Sequence, residues 1–208
     1  MALPLVVPVV AFGVSFGVLA RAAGMGPVAP VVMSATTFAG SAQFAAASIL
    51  GVGGTVAAAV ASALLLNARY TPIGLSVGEA IPGRGWRRLF TSQLIVDESW
   101  ALAVTPDGID GRRLVGAGLV LWAGWVGGTL LGSLGAEWLG DPEALGLDAA
   151  FPAVFLALLA PQLRGRRPVL AAILGAGIAL ALLPWAPAGL PIVAATAAVL
   201  VGWRGTER

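Results

Sequence analysis

The sequence predicts an all-α polytopic membrane protein, and three observations support this fold class. Of the 208 residues, 58% are hydrophobic and only 11% are charged, whereas a soluble domain carries about 45–50% apolar and about 25% charged residues. Apolar stretches that suit membrane helices recur along the whole chain. All 12 basic residues are arginines, and most lie in short clusters between those stretches. We therefore expect a single transmembrane domain over residues 1–208, held in a lipid bilayer.

The composition also excludes several kinds of site. The chain has no Cys and no His, so disulfides and thiolate metal sites are ruled out and the commonest metal ligand is missing. No Walker A loop, dinucleotide fingerprint or nucleophile elbow occurs in the sequence. We expect no metal, no cofactor, no enzymatic activity and no nucleic-acid partner.

Eight apolar segments are candidates for membrane helices. A helix needs about 20 apolar residues to cross a hydrocarbon core about 30 Å thick. Several segments are shorter, so tilted and non-spanning helices are allowed for. The segments cover residues 4–20, 29–50, 53–68, 90–104, 114–134, 150–163, 168–184 and 188–203.

Arginine placement predicts the topology of these segments. The positive-inside rule places arginine-rich loops in the cytoplasm, and the loop at 135–149, which has acids but no arginine, is expected outside. Arginine clusters at 84–88 and 112–113 flank the segment 90–104. Because both clusters are expected in the cytoplasm, we predict that this segment is a short or re-entrant helix. The other seven segments then cross the membrane, with the N-terminus outside.

Glycine spacing predicts close packing between two of the helices. Gly13 and Gly17 in the first segment, and Gly124 and Gly128 in the fifth, are each separated by three residues. This spacing lets the backbones of membrane helices approach closely. With seven crossings the two helices would run in opposite directions, so an inverted repeat is a second interpretation of the same glycines.

The second apolar segment combines hydroxyls, small residues and one amide side chain. Gln43 cannot satisfy its own amide in hydrocarbon, where an unmet polar group costs several kcal/mol. Gly40 leaves the backbone bare beside it, so we expect Gln43 and Gly40 to bind a polar solute with help from Ser41. Phe38 and Phe44 would form the apolar wall of that site. In the alternative interpretation the hydroxyls of this segment serve only helix packing.

Asn67 and Arg69 lie where the third apolar segment ends. In one interpretation the Arg69 guanidinium reaches the cytoplasmic interface and Tyr70 joins an aromatic belt. In the other, Asn67 and Arg69 line the inner mouth of a path and bind a carboxylate, which a guanidinium matches in shape.

Two adjacent acids, Asp97 and Glu98, occupy the fourth segment. On a helix they point about 100° apart, so they cannot serve one site equally. An acid at the centre of a membrane helix costs about 2.5–3.5 kcal/mol and marks ion or proton pathways. If either acid is buried, it is the candidate for proton coupling, since the chain has no His. The alternative places both acids in water at the membrane interface.

Four motifs, taken in their order along the chain, resemble those of the azaleucine-resistance (AzlC-type) branched-chain amino acid permease family. The resemblance is strongest over residues 10–105, and the block that ends in Gln43 and Phe44 is its most specific part. Members of the family commonly have His where this chain has Tyr70. The motifs are Phe12-Gly13-x-x-x-Gly17, Phe38-Ala39-Gly40-Ser41-Ala42-Gln43-Phe44, Asn67-Ala68-Arg69-Tyr70 and Asp97-Glu98-Ser99-Trp100.

The resemblance implies a multi-pass transporter that exports leucine, isoleucine and valine across the bacterial inner membrane, driven by an ion gradient. It also implies a small four-helix membrane partner of the AzlD type. Two other functions stay open from the residues alone: a non-transporting scaffold subunit of a transporter complex, and a passive amino acid channel. A homo-oligomer also stays open.

Overall fold

The regular structure is helical apart from one short β-hairpin within the part of the chain that is described. The computed structural model describes residues 3–68, 70–136, 138, 156, 159–160, 163–186 and 190–203. The helices are α1 (Leu3–Ala22), α2 (Ala29–Thr37), α3 (Gly40–Gly51), α4 (Val56–Asn67), α5 (Tyr70–Val77), α6 (Trp86–Ser92), α7 (Asp97–Ala103), α8 (Gly111–Gly135), α9 (Arg166–Leu182), α10 (Leu190–Ala195) and α11 (Leu200–Trp203), with a 3₁₀ turn at Thr196–Val199. Strand β1 (Val104–Thr105) pairs antiparallel with β2 (Gly108–Ile109).

Helices α1 and α8 are long and apolar enough to cross a membrane. Helices α4 and α5 also meet this criterion when they are taken together as one span bent by 46°. The described residues therefore supply two or three spans, and the total of seven stays a prediction. The predicted segment 150–163 and the acidic loop before it lie largely outside the described residues.

Helices α1 and α8 pack backbone against backbone. A Cβ atom added at Gly13 would lie 2.6 Å from the carbonyl oxygen of Trp125, and one at Gly17 would lie 2.4 Å from that of Thr129. The contact therefore advances in the same direction along both helices, so α1 and α8 run parallel. The expectation that they run in opposite directions is wrong, and with it the inverted repeat based on these glycines.

Glycines of α8 form the other half of this contact. A Cβ at Gly128 would lie 2.4 Å from the carbonyl oxygen of Val10, and one at Gly124 would lie 3.3 Å from a methyl group of Val10. At Gly132 the carbonyl oxygen of Val14 would be only 2.0 Å away. A side chain at Gly128 or Gly132 would push the two backbones apart, whereas one at Gly124 would have to shift the Val10 side chain.

The ends of α8 define two sides of the molecule. We call the side where α8 begins proximal and the side where it ends distal. The side chain of Asp110 caps the first turn by accepting hydrogen bonds from the backbone N–H groups of Arg112 and Arg113, so both arginines lie on the proximal side. At about 1.5 Å per residue, the 25 residues of α8 extend over about 37 Å.

Helices α2 and α3 form a hairpin, the distal hairpin, that enters and leaves on the distal side. Ser133, near the distal end of α8, donates a 2.8 Å hydrogen bond to the carbonyl oxygen of Pro27 before α2 begins. At the other end, Gly51 lies against the residue that follows α1. Between these ends the Gln43 amide nitrogen donates to Ser34 Oγ at 3.0 Å across the turn, which a straight helix would not allow.

The distal turn, at Phe38 and Ala39, lies near the middle of α8. Phe38 has φ 42° and ψ 52°, a left-handed conformation that costs a non-glycine residue about 1–2 kcal/mol. Just before the turn, Trp122 Nε1 of α8 donates to the carbonyl oxygen of Ala35 at 3.0 Å. The prediction that residues 29–50 form one crossing helix is therefore wrong, because the chain reverses at Phe38 and Ala39, directly before Gly40.

Helices α6 and α7 form a second hairpin, the proximal hairpin, on the other side. Arg88 donates to the first backbone carbonyl after α5, and the carbonyl of Ala103 accepts a 2.9 Å hydrogen bond from the N–H just before α8. Between these ends Leu94 packs against α8 at Gly118. The segment 90–104, predicted to be short or re-entrant, is thus divided between two short helices that fold back to the proximal side.

Helices α4 and α5 connect the two sides. On the distal side Ala59 of α4 packs against Ile49 of α3, and on the proximal side Val77 of α5 packs against Leu114 of α8. Between α1 and α8 the chain thus passes once from the distal to the proximal side. That single passage is why α1 and α8 run parallel.

Candidate functional site

An aromatic cluster lies beneath the distal turn. The rings of Phe16 and Trp125 are stacked, with centroids 6.0 Å apart, and Phe44 meets both of them edge to face. Phe38 and Val96 belong to the same buried cluster. The two phenylalanines predicted to line a solute site, Phe38 and Phe44, are therefore packed in the core, and their contact with a solute stays a prediction.

Gln43 is fully buried, and three hydrogen bonds use its amide group. Its Oε1 accepts from the backbone N–H of Ala39 and from Trp125 Nε1, both at 3.1 Å. Its Nε2 donates to Ser34 Oγ at 3.0 Å. The amide that cannot satisfy itself in hydrocarbon thus finds its partners within the protein and ties α3 to the turn, to α2 and to α8.

Two further hydroxyl groups extend this network: Ser34, one of the hydroxyls of the second apolar segment, and Thr129, which was not predicted. Ser34 and Thr129 share a 2.8 Å hydrogen bond, and Thr129 donates onward to the carbonyl oxygen of Trp125 at 2.9 Å. Both side chains are fully buried. The available signal was the helical spacing of Trp122, Trp125, Thr129 and Ser133, which places them on adjoining faces of α8 beside its glycines.

Three side chains from three elements satisfy the backbone groups that the distal turn frees. Trp122 of α8 donates to the carbonyl of Ala35, and Gln93 of the proximal hairpin donates to the carbonyl of Thr36. Gln43 accepts the N–H within the turn. A buried backbone group without a partner costs about 1–3 kcal/mol. By supplying partners, these side chains stabilise the reversal of the chain inside a membrane protein.

Gly40 and Ser41 begin α3 and are half-buried. A Cβ at Gly40 would lie 3.1 Å from the Trp125 ring, so the absence of a side chain there lets the indole approach the turn. The first N–H groups of a helix have no acceptor within it and carry its positive dipole end. The start of α3 is therefore suited to a negatively charged group.

Helix α4 carries two polar atoms that are buried and have no hydrogen-bond partner in the described part of the chain. They are Ser62 Oγ and Asn67 Oδ1. Ser62 was not predicted as a site residue, and Asn67 was. Arg69, its predicted companion, lies outside the described residues, whereas Tyr70 packs against the aromatic cluster.

Asp97 and Glu98 form the first turn of α7. Asp97 is half-buried and Glu98 is exposed. Val96, directly before them, packs in the aromatic cluster, and its N–H donates to Ser99 Oγ at 2.9 Å. The two predicted acids thus begin a helix beside the distal turn, with different exposure to the surroundings. Among the described residues no group of three or more acids is placed to bind a metal ion.

Comparison with known proteins points to one family. A family model described as AzlC protein matches residues 4–139. A membrane protein of Archaeoglobus fulgidus is 32% identical over 97% of this chain and 91% of its own length. The branched-chain amino acid transport protein AzlC of Bacillus subtilis (strain 168) is 27% identical over 86% of this chain and 74% of its own length. No solved structure matches the chain.

Proposed function

The chain belongs to the AzlC family of membrane proteins, and from that premise we propose that it is a secondary transporter that exports branched-chain amino acids from bacteria. A transport role follows from the family. The substrate is proposed from the similarity to the Bacillus subtilis protein named for branched-chain amino acid transport. Export, the cytoplasmic membrane as location and coupling to protons are further parts of the proposal.

We place the proximal side in the cytoplasm. Arg84, Arg87 and Arg88 lie at or just before the start of α6, and Arg112 and Arg113 start α8, so the positive-inside rule favours this orientation. Because α1 runs parallel to α8, its first residues then also lie on the cytoplasmic side. This orientation replaces the expected N-terminus outside, which required α1 and α8 to be antiparallel.

The break in the distal hairpin is the observation that carries the proposal. It brings non-helical backbone to the middle of α8, which is the depth of the bilayer centre if α8 spans the membrane. Such backbone is tolerated there only inside protein or beside a water-filled cavity. Transporters place substrate at helix breaks of this kind, where half-helix N-termini meet anionic groups.

The substrate carboxylate is placed at the first turn of α3. Gly40 and Ser41 form this turn and are half-buried, and the positive dipole end of a helix suits an anionic group. In the proposal Asn67 and Arg69 complete the head-group site. The aliphatic side chain of the substrate packs towards the aromatic cluster of Phe38 and Phe44. Gln43, which is fully buried and hydrogen-bonded, acts by holding the turn in shape.

Proton coupling is assigned to Asp97 in preference to Glu98. Asp97 is half-buried and next to the aromatic cluster, whereas Glu98 is exposed. A carboxyl group that alternates between a protein interior and water is suited to exchanging a proton during transport. The proposal also includes a small four-helix membrane partner of the AzlD type, and it leaves the number of copies of this chain open.

Flux from proteoliposomes tests the proposal. We expect preloaded leucine or valine to leave vesicles that contain the chain with its partner, at a rate that responds to an imposed proton gradient. Flux that a protonophore leaves unchanged would instead identify a passive channel. The absence of flux with and without the partner would identify a scaffold subunit.

Two neighbouring carboxyl groups supply a matched pair of variants for the same assay. Asp97→Asn is expected to abolish the response of efflux to the proton gradient, because the amide cannot exchange a proton. Glu98→Gln is expected to leave that response intact, since Glu98 is exposed. Equal responses in both variants would remove Asp97 from the coupling mechanism.

A further inference from the structure

We propose that Gln93 closes the transport path by joining the two hairpins at mid-depth, and that the path opens when this contact breaks. This inference rests on the proposed transport function. It concerns a residue that belongs to neither the head-group site nor the proton-coupling pair.

The two hairpins approach each other from opposite sides of the molecule, and they meet in the aromatic cluster, which holds Val96 and Phe38, and at Gln93. This residue follows α6 directly, and its Nε2 donates to the backbone carbonyl of Thr36 in the last turn of α2. Its neighbour Leu94 lies against α8 at Gly118, and Ala35 of the distal hairpin is bonded to Trp122 of α8. The contact therefore lies near the middle of α8.

Each hairpin is fixed to its own side by bonds that Gln93 does not share. The distal hairpin is held by Ser133 at its base and by the buried network of Gln43 at its turn. The proximal hairpin is held by Arg88 and by the carbonyl of Ala103. Loss of the Gln93 hydrogen bond would thus leave each hairpin folded while weakening the contact between the two turns, which also includes Val96 and Phe38 in the aromatic cluster.

The exposure of the contact distinguishes it from the buried network. Thr36 is exposed and Gln93 is half-buried, whereas Ser34 and Gln43 are fully buried. An accessible hydrogen bond between two anchored elements exchanges with water or with a polar solute more readily than a buried one. This is the property required of a barrier that must open and close in every transport cycle.

Sided thiol labelling tests this barrier. Because the natural chain has no Cys, Thr37→Cys supplies a single thiol at an exposed position directly before the distal turn. In vesicles of both orientations, we expect a membrane-impermeant maleimide to label this thiol from the distal side only. Adding Gln93→Met, which keeps the side-chain length and removes the donor, is expected to permit labelling from both sides.

Ser92→Ala is the matched control. Ser92 is the residue before Gln93, is also half-buried, and its hydroxyl bonds only within α6 in the described structure, to the carbonyl of Arg88. We expect its removal to leave labelling one-sided. Labelling from both sides in the control, unchanged labelling in Gln93→Met, or no labelling from either side in any variant would each overturn the proposal.

A locking experiment covers the case in which Gln93→Met fails to fold. In the double variant Thr36→Cys with Gln93→Cys, a short bis-methanethiosulfonate reagent is expected to join the two thiols through disulfide bonds, with release of methanesulfinate, and to stop leucine efflux. A reductant is expected to cleave these bonds and restore efflux. Continued efflux in the cross-linked protein would contradict the proposal. Labelling requires no transport, so it tests the Gln93 barrier even if the chain moves no amino acid. A failure of the barrier proposal is thus distinguished from a failure of the proposed transport function.

Discussion

The α1–α8 contact and the distal turn lie side by side on α8 but are held together by different means. In the α1–α8 contact, glycines bring backbone against backbone, and a Cβ at Gly17 or Gly132 would lie within 2.4 Å of a carbonyl oxygen. At the distal turn, side chains supply the contacts, and Gln43 alone makes three hydrogen bonds. One helix therefore serves both a rigid frame and a polar site.

This difference has a physical basis in the membrane. Lipid tails are as apolar as helix side chains, so membrane helices are held together largely by close van der Waals packing, which glycine permits. At the turn the buried hydrogen bonds of Gln43 hold the reversed backbone in shape, whereas the accessible bond from Gln93 to Thr36 can exchange with water. Helix α8 therefore combines a glycine contact that brings two backbones together with a turn that side-chain hydrogen bonds hold in shape.

The largest effect is expected at the rigid contact. In Gly132→Ala the new methyl group meets the carbonyl oxygen of Val14 at 2.0 Å, and because that atom belongs to a helix backbone it cannot rotate away. We expect a loss of about 3 kcal/mol in unfolding free energy. The loss is measured as a fall in Tm in detergent.

Gly127→Ala is the control for this experiment. It lies on the same helix with no heavy atom within 4 Å of the added Cβ, so the Tm is expected to stay the same or rise, since Ala favours helix over Gly. Equal falls in the two variants would show that α8 is sensitive to any substitution and that the contact has no special rigidity.

A smaller loss of stability is expected at the polar turn, together with a loss of transport. Gln43→Leu removes the partners of Ala39, Trp125 and Ser34. At about 0.6 kcal/mol for each hydrogen bond in a membrane protein, the three bonds amount to about 2 kcal/mol. We expect folded protein that moves leucine at the background rate.

Trp125→Phe sharpens this experiment because it keeps an aromatic ring and removes one of the three bonds. It is expected to lower the unfolding free energy by about 0.6 kcal/mol and to retain part of the leucine flux. If Gln43→Leu is as stable and as active as the unchanged chain, the buried network does not shape the turn.

Local patterns in the sequence predicted the helical membrane fold and the features that depend on neighbouring residues. The spacing of Gly13 and Gly17 indicates close packing because residues four apart share a helix face. The isolation of Gln43 in an apolar segment indicates a buried polar contact because its amide requires a partner. Both conclusions require only residues that lie close together in the sequence.

The reversal at Phe38 could not be predicted in the same way. A left-handed residue is expected to be Gly or Asn, and here the burial of the Phe38 ring in the core offsets the strain. The partners that satisfy the break come from far along the chain, as with Trp125, which is 82 positions from Gln43. A prediction that lacks this reversal miscounts the membrane crossings between α1 and α8. Because the direction of α1 is deduced from that count, it is predicted wrongly as well.

The smallest effect on stability is expected at the two ends of α3, where an added Cβ would have the same distance to its nearest neighbour. A Cβ at Gly40 would lie 3.1 Å from the Trp125 ring, and one at Gly51 would lie 3.1 Å from the Cβ of Ala23. We expect either alanine variant to change the unfolding free energy by less than about 1 kcal/mol. The two variants are therefore matched in stability and differ in position.

Transport is expected to distinguish them. In Gly40→Ala the indole must move by a few tenths of an ångström, which strains its bond to Gln43 and covers the first turn of α3, so leucine efflux falls. In Gly51→Ala the displaced group lies at the base of the hairpin, and efflux stays unchanged. A helix terminus that binds substrate tolerates an added methyl group less well than one that only packs. Equal efflux in the two variants would therefore mean that the start of α3 is no more sensitive than its end, and that the head-group site lies elsewhere.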